Sequence, residues 1–381
     1  MHIAHVVRAL EAAGHEVVVI SPPGVDPLET AGVAPVDKSD APVSGLSRLW
    51  KWVSRRCPQF VFELLEMAYN VFAALRLHRV LPRDRDVVFY ERYAFFLCLS
   101  TWLAKRRGLT IVLEVNEVAG VQRARGLVMV GIACRIERAT FRRADAVLVV
   151  SSFLADEVRR RGARCERVHV IPNAVDAVTL ARSSERGRTR DALGLCRSTV
   201  IGFLGWFDQW DRLDLLIDVF ARLHGIRADA RLLLVGDGPV VHALRADITR
   251  RGLDDAVILA GPVSRGNVPR YLDAMDIGVL PSSNAFGSPI ALFEMMAAGK
   301  PVVVPDVGPV LDVVEDGGTG LVVPLGDRER LEAALDLLLV DAEMRERLGA
   351  AARERIEAKH TWAANAGRIV DIARRCGGQV A

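Results

Sequence analysis

Residues Ser288 to Val303 read SPIALFEMMAAGKPVV and carry a single carboxylate, Glu294, in an otherwise apolar helix-like run. An apolar segment, Ile277 to Pro281, precedes them, followed by the polar Ser282-Ser283-Asn284 and a turn at Gly287-Ser288-Pro289. Gly299-Lys300-Pro301 stops the helix, and Val302 to Pro305 reads as a second buried strand. The pattern predicts a strand–loop–helix–strand unit of a parallel sheet. Small residues where the chain enters the helix leave backbone N–H groups and a positive dipole end available to a phosphate. Glu294 lies about a turn and a half inside, where an unpaired carboxylate is costly. A ligand hydroxyl beside a bound phosphate is a natural partner, which points to a nucleotide or sugar phosphate. An acid held only by the helix dipole is the plainer alternative.

The elements that must position this unit form two series. The chain of 381 residues is long enough for two α/β domains, and 51% apolar residues supply two cores. A net charge of +3 gives no argument for a nucleic-acid partner. Six scattered cysteines (Cys57, Cys98, Cys134, Cys165, Cys196 and Cys376) have neither CxxC nor metal spacing, which fits a reduced, cytoplasmic compartment. No run of 18 uncharged apolar residues predicts a spanning helix, and the start lacks a signal-peptide cleavage pattern.

The first series is read as a helix over residues 1–15 and strands at Val17–Ile20, Asp86–Tyr90, Thr110–Val115, Ala146–Val150 and Val168–Ile171. Helices are expected over Leu46–Val80, Ala94–Arg107, Leu127–Arg143 and Phe153–Arg161, the last capped by Ser151-Ser152. Pro172-Asn173 breaks the series, and the charged Ser183–Asp191 reads as a surface linker. The second series has strands at Ser198–Phe203, Arg231–Val235 and Ala256–Ala260, with helices over Leu213–His224, Val240–Arg251 and Val268–Ala274, before the Glu294 unit and closing helices. Such alternation implies parallel sheets. A doubly wound domain opens with a strand and a Gly-rich turn, whereas this chain opens on a helix, so the first sheet is expected to lack its first strand or the start to lie downstream of the true one.

In these residues the chain resembles the family-4-like, group 1 glycosyltransferases of the GT-B fold. The resemblance rests on GHEVVVISP (14–22), YERY (90–93), VIPNAVD (170–176), GWFDQW (205–210), LLLVGDGP (232–239), VPRYLDAMDIGVLPS (268–282), the Glu294 motif and GGTGLVVP (317–324), in that order. It implies two Rossmann-like, doubly wound parallel-sheet domains facing a cleft. An acceptor-binding domain would cover residues 1–175 and a nucleotide-sugar-binding domain 176–360, with a helix over 361–381 returning to the first. The implied reaction moves a sugar from a nucleoside-diphosphate donor to a hydroxyl acceptor with retention, without metal or other cofactor.

By the same resemblance Glu294 matches the second glutamate of an E-x7-E pattern and binds the donor ribose. Phe286, Gly287, Ser288, Pro289 and Ile290 match the loop around diphosphate and sugar. Gly205, Trp206, Gly236 and Asp237 match strand ends facing the nucleotide, and Val263 and Arg265 a loop beside the base. The family's basic pair after the first glycine is replaced by Trp206 and Asp211, leaving Arg212 as the expected cation. A lysine of the SPxKLFE subgroup is replaced by Ala291, the first acid of E-x7-E by Asn284, Ala285 and Phe286, and the histidine near the reacting sugar by Asn116.

Plainer readings stand beside these. Arg212 and Arg265 are also ordinary surface residues, Asn116 also a loop cap, and Glu114 a structural partner of Arg92. The stretch Arg48–Phe72 mixes Trp50, Trp52, Phe60 and Phe62 with Lys51, Arg55 and Arg56, the composition of a helix in peripheral contact with the inner membrane face or of one covering a sheet. The expected function is hexosyl transfer to a small-molecule, glycan or lipid-linked acceptor. The alternative is a non-catalytic homologue that binds sugar nucleotide or partners an active transferase. Nucleotide-sugar epimerisation, the third option, lacks its histidine-and-acid set.

Overall fold

A computed structural model of the chain describes residues 2–21, 28, 58–81, 87–121, 126–177, 179–180 and 186–377. The described residues fall into two compact units, one running to Ile171 and resuming at Asn365, the other Pro172–Ala364.

The first unit contains α1 (His2–Ala12), α2 (Gln59–Val80), β1 (Val88–Arg92), α3 (Leu99–Arg106), β2 (Thr110–Val115), α4 (Val130–Arg143), β3 (Ala146–Val149), α5 (Ser152–Arg160) and β4 (Val168–Val170). Its sheet runs β1-β2-β3-β4, all parallel. Every residue of β2 is buried, as expected of a parallel strand covered on both faces. Ser151 caps α5 by accepting the Leu154 amide.

Three expectations are corrected here. Val17–Ile20 has strand-like composition but pairs with no described strand, and Val18 lies 69% exposed. The helix expected from Ala94 starts only at Leu99, because Phe96 adopts a left-handed φ of 62°. Asn70 holds that turn: its Nδ2 donates to the Phe96 carbonyl (2.6 Å) and its Oδ1 accepts the Cys98 amide (2.8 Å). The helix expected from Leu127 starts at Val130, since Glu63 of α2 accepts the Val128 and Met129 amides at 2.7 Å each, capping α4 from outside. The helix expected from Leu46 is described from Gln59 onward, and residues 46–57 and 86 lie outside the described residues. The outer side of α2 exposes Phe60, Leu64, Val71, Phe72 and Leu75. No described helix is long and apolar enough to cross a membrane.

The second unit contains α6 (Arg186–Ala192), β5 (Thr199–Trp206), α7 (Leu213–Ile226), β6 (Ala230–Asp237), α8 (Val241–Arg250), β7 (Val257–Gly261), α9 (Val268–Ala274), β8 (Ile277–Val279), α10 (Ile290–Ala297), β9 (Val302–Pro305), α11 (Gly308–Leu311), β10 (Gly320–Val323), α12 (Arg328–Val340) and α13 (Ala342–Lys359). α14 (Trp362–Arg375) follows. The parallel sheet runs β10-β9-β8-β5-β6-β7. Chain order therefore reverses beside β5: β6 lies on one side and β8 on the other. In open α/β sheets that reversal leaves a crevice at the carboxyl ends of the strands, where ligands bind.

Phe203, Phe207, Phe220 and Phe293 are buried at the centre of this core, each worth about 1.5–3 kcal/mol of burial. The expected linker at 183–191 is instead helical from Arg186. Arg190 explains why. Its guanidinium donates to the carbonyls of Ala274 and Leu195 (2.9 Å each) and pairs with Asp276 at 3.0 Å, fastening α6 to the amino end of the sheet.

Candidate functional site

Four loops at the carboxyl ends of β5, β6, β7 and β8 hold nearly all the residues singled out from the sequence. Gly205 and Gly236 are cross-strand partners, with φ of 153° and 141°. A Cβ on Gly236 would stand 1.8 Å from the Gly205 carbonyl oxygen, and one on Gly238 2.3 Å from that of Phe207. Only glycine permits this approach. The Phe207 amide then donates to the Asp237 carbonyl (2.8 Å), and Asp237 Oδ1 accepts the Gly238 amide (2.8 Å). Trp206, one residue before Phe207, is 63% exposed.

The loop after β5 turns Asp211 inward. Asp211 accepts the Asp208 amide (3.0 Å) in a reciprocal capping box and is itself buried. Burial raises its carboxyl to about 6, against the Asp208 amide that favours the anion. The negative charge expected to face a diphosphate is thus folded away from the surface. Arg212 follows in a left-handed conformation, φ 48°. Its Nε and Nη2 donate to Asp214 at 2.9 and 3.0 Å, so the cation expected for the phosphates is already engaged in an exposed pair.

The loop after β8 is tied at both ends. Asn284 Oδ1 accepts the amides of Phe286 (3.2 Å) and Gly287, so two N–H groups expected to be available are used by the protein. Ser288 is fixed to the start of the unit: its Oγ accepts the Asn173 amide (3.1 Å), and its carbonyl accepts Asn173 Nδ2 (2.6 Å). Pro289 precedes α10 without a side-chain cap. The Leu292 amide reaches the Pro289 carbonyl (3.1 Å), and the amides of Ile290 and Ala291 have no protein acceptor among the described residues. This positive helix end opens at the β5/β8 reversal.

Glu294 lies one turn further in, its side chain only 14% exposed. No described group donates a hydrogen bond to it. Its nearest ionic partner is Arg265, from the loop after β7, with Nη1 4.0 Å from Oε1. Burial pushes the Glu294 carboxyl up and the Arg265 charge pulls it down. Val263 precedes Arg265 in the same loop.

Asn116 belongs to the other unit. It closes a polar cluster at the carboxyl end of β2, where its Nδ2 donates to Glu114 Oε1 (2.5 Å). Tyr90 Oη donates to the other oxygen (2.5 Å), His2 Nε2 stands 3.0 Å away and Arg92 Nε 3.9 Å. Burial pushes the Glu114 carboxyl up, but His2, Tyr90 and Arg92 bring it down to about 2. The bridge expected between Glu114 and Arg92 is therefore its longest contact. Tyr90 was legible, since it shares a strand face with Arg92; His2 carries no sequence signal, because a helix end supplies it.

Residues 188–355 match the family Glycosyl transferases group 1, and residues 1–178 match Glycosyltransferase Family 4. The chain belongs to the family-4-like, group 1 glycosyltransferases, whose two models together match nearly its whole length. Among its relatives, the alpha-D-kanosaminyltransferase of Streptomyces kanamyceticus is 32% identical over 65% of this chain and 64% of its own length. A D-inositol 3-phosphate glycosyltransferase of Kineococcus radiotolerans is 32% identical over 56% of this chain and 53% of its own. The chain thus spans about half to two thirds of these relatives. Anabaena Alr3699/HepE, solved with UDP, superposes with a TM-score of 0.67 at 19% identity over 80% of this chain and 82% of its own. Sucrose-phosphate synthase of Thermosynechococcus elongatus superposes at 0.63, with 22% identity over 79% and 76%. These superpositions give the GT-B fold: two Rossmann-like parallel-sheet domains.

Set against the family-4-like pattern, the second unit brings Gly205, Trp206, Gly236, Asp237, Val263, Arg265, the 286–290 turn and Glu294 to one end of one sheet. The sequence reading missed Asn173 and the inward turn of Asn284. VIPN has a visible breaker in Pro172, but nothing local reveals that Asn173 fastens a loop more than a hundred residues away.

Proposed function

We propose that this chain moves a sugar from a nucleoside-diphosphate donor to a hydroxyl acceptor with retention of configuration at the anomeric carbon. One observation carries the reading: Glu294 is a largely buried carboxylate with no hydrogen bond from any described residue, one turn inside a helix whose first amides are open at the sheet's reversal point. Burying such an acceptor unsatisfied costs free energy that a ligand donor returns. The donor ribose gives its hydroxyls to Glu294, and the diphosphate lies against the amides of Ile290 and Ala291. Gly236, Asp237 and Val263 border the nucleoside. The Anabaena neighbour was solved with UDP and with UDP-glucose, which supports a donor of that class.

In the reaction the bond from the anomeric carbon to the phosphate oxygen breaks, and its electron pair leaves with the diphosphate. A bond forms from that carbon to the acceptor oxygen, whose proton passes to a phosphate oxygen. The dipole end of α10 meets the charge that develops on the leaving group. Asn116, fixed by Glu114, is the polar group offered on the acceptor side.

A second reading, a sugar-nucleotide-binding homologue without turnover, is favoured by the engagement of Arg212 with Asp214. Calorimetry with UDP, GDP, TDP and ADP on the wild type and Glu294→Ala tests the proposal. Binding of one nucleotide, lost in the variant, supports it; no binding by any of the four to folded protein refutes it. Release of nucleoside diphosphate from the matching sugar nucleotide then decides between turnover and binding alone.

A further inference from the structure

We propose that Arg265 is a positioning residue that acts on the donor through Glu294, setting its positive charge beside that carboxylate while leaving the lone pairs to the ribose hydroxyls. This rests on reading Glu294 as the ribose-binding group.

The geometry separates charge from hydrogen bonding. At 4.0 Å the guanidinium is too far to occupy a carboxylate lone pair, yet close enough for its charge to act on a group in a poorly solvated site. The Arg212–Asp214 pair of the same unit is the opposite case. There, contacts of 2.9, 3.0 and 3.2 Å put the guanidinium directly on both carboxylate oxygens. Arg265 also comes from a different loop than Glu294, so the two converge only when the β7 and β8 ends are assembled. Half of the Arg265 side chain is exposed, against 14% of Glu294. The cation thus stays hydrated and the anion is the member sheltered for ligand contact.

α10, which carries Glu294, packs against β8, β9 and α13. Among the described residues, no charged group on any of these acts on the carboxylate, and Arg265 is the one that does. Burial alone drives Glu294 toward the neutral acid. A protonated carboxyl turns one oxygen into a donor and loses the charge that strengthens its bonds from both hydroxyls of a ribose diol. Without Arg265, Glu294 would take up its proton at higher pH and lose its grip on the nucleotide as pH falls.

The test is a double-mutant cycle of nucleotide affinity against pH, using the nucleoside diphosphate that binds the wild type tightest of UDP, GDP, TDP and ADP. Dividing the Kd of Arg265→Ala by that of the wild type at each pH cancels titration of the nucleotide itself. We expect the ratio to rise as pH is lowered, by up to about tenfold per pH unit once Glu294 protonates in the variant. In the Glu294→Gln background, where nothing titrates, Arg265→Ala should give a ratio that is flat with pH. Arg265→Lys should restore the wild-type profile, because charge rather than a bidentate fork is required.

A ratio that is flat in both backgrounds, or that persists unchanged in Glu294→Gln, would mean Arg265 touches the donor directly if it exceeds one, or has no part in binding if it equals one, and either overturns the inference while leaving the donor site intact. Wild-type protein that binds none of the four nucleotides overturns both.

Discussion

Glu63, Glu114 and Glu137 in the first unit are buried carboxylates and Glu294 in the second is largely sheltered, and they are treated differently. Glu63 accepts two backbone amides at 2.7 Å. Glu114 is met by Tyr90, His2 and Asn116. Glu137, with no exposure at all, accepts the Ala119 amide (2.6 Å) and the Tyr93 hydroxyl (3.0 Å) and pairs with Arg161 at 3.1 Å. Glu294 has only a cation at 4.0 Å. Where the protein supplies the donors, the carboxylate is part of the scaffold: it caps α4 or fixes the turn after β2. Where the protein supplies charge but no donor, the remaining hydrogen bonds belong to a ligand. Glu91 adds a third solution. Its Oε2 is buried without a partner among the described residues, and burial, opposed by Ser100, pushes the carboxyl up to about 7, so the side chain keeps its proton to higher pH than an ordinary glutamate.

Breaking the scaffold side should cost most. Glu137→Ala takes away the acceptor of the Ala119 amide and the Tyr93 hydroxyl and leaves Arg161 with Glu157 as its remaining carboxylate, and a loss of roughly 2–5 kcal/mol in urea-unfolding stability is expected; a loss below about 1 kcal/mol would remove Glu137 from the scaffold class.

Glu91→Gln sharpens the third solution. A folded carboxyl at about 7 against an ordinary value near 4.5 means the folded state holds its proton longer than the unfolded chain. The wild type therefore loses stability as pH rises from the lower value to the higher, and the amide variant does not. The variant should gain on the wild type across that window, by on the order of 3 kcal/mol at most above it. Parallel stability profiles from acid to alkaline pH would contradict this.

On the ligand side the effects on stability shrink. Glu294→Gln removes a buried charge without orphaning any protein donor, so its unfolding free energy should stay within about 1 kcal/mol of the wild type. Arg212→Ala is the smallest. It opens an exposed pair, should cost less than about 1 kcal/mol, and should leave nucleotide affinity nearly unchanged, since Asp214 already holds that charge. A large loss of affinity would restore Arg212 as the phosphate-binding cation.

The two units also differ in how far they could be read from residues. Parallel strands with continuous apolar runs, such as Thr110–Val115 and Val302–Pro305, are visible because both faces are buried. The Glu294 helix is visible because a lone carboxylate interrupts an apolar face. Element ends were misread where a distant side chain decides them: Asn70 delays α3, Glu63 delays α4, and Arg190 turns an expected linker into α6. Each is a long-range hydrogen bond, which leaves no local pattern. The same limit applies at the site. The motif names Glu294, Gly287 and Ser288, whereas the inward turn of Asp211, the Asn284 bonds and the approach of Arg265 depend on how loops from four strands converge.

The most direct test of the contrast between scaffold and ligand carboxylates is thermal unfolding of the wild type, Glu294→Gln and Glu137→Gln, each with and without saturating nucleoside diphosphate. Glu294→Gln is expected to melt at or above the wild-type temperature without nucleotide and, binding more weakly, to be raised much less than the wild type by the same nucleotide concentration. Glu137→Gln should melt lower and still respond to nucleotide. If instead Glu294→Gln melts well below the wild type and keeps its response to nucleotide, Glu294 is a scaffold residue and the proposed donor site is wrong.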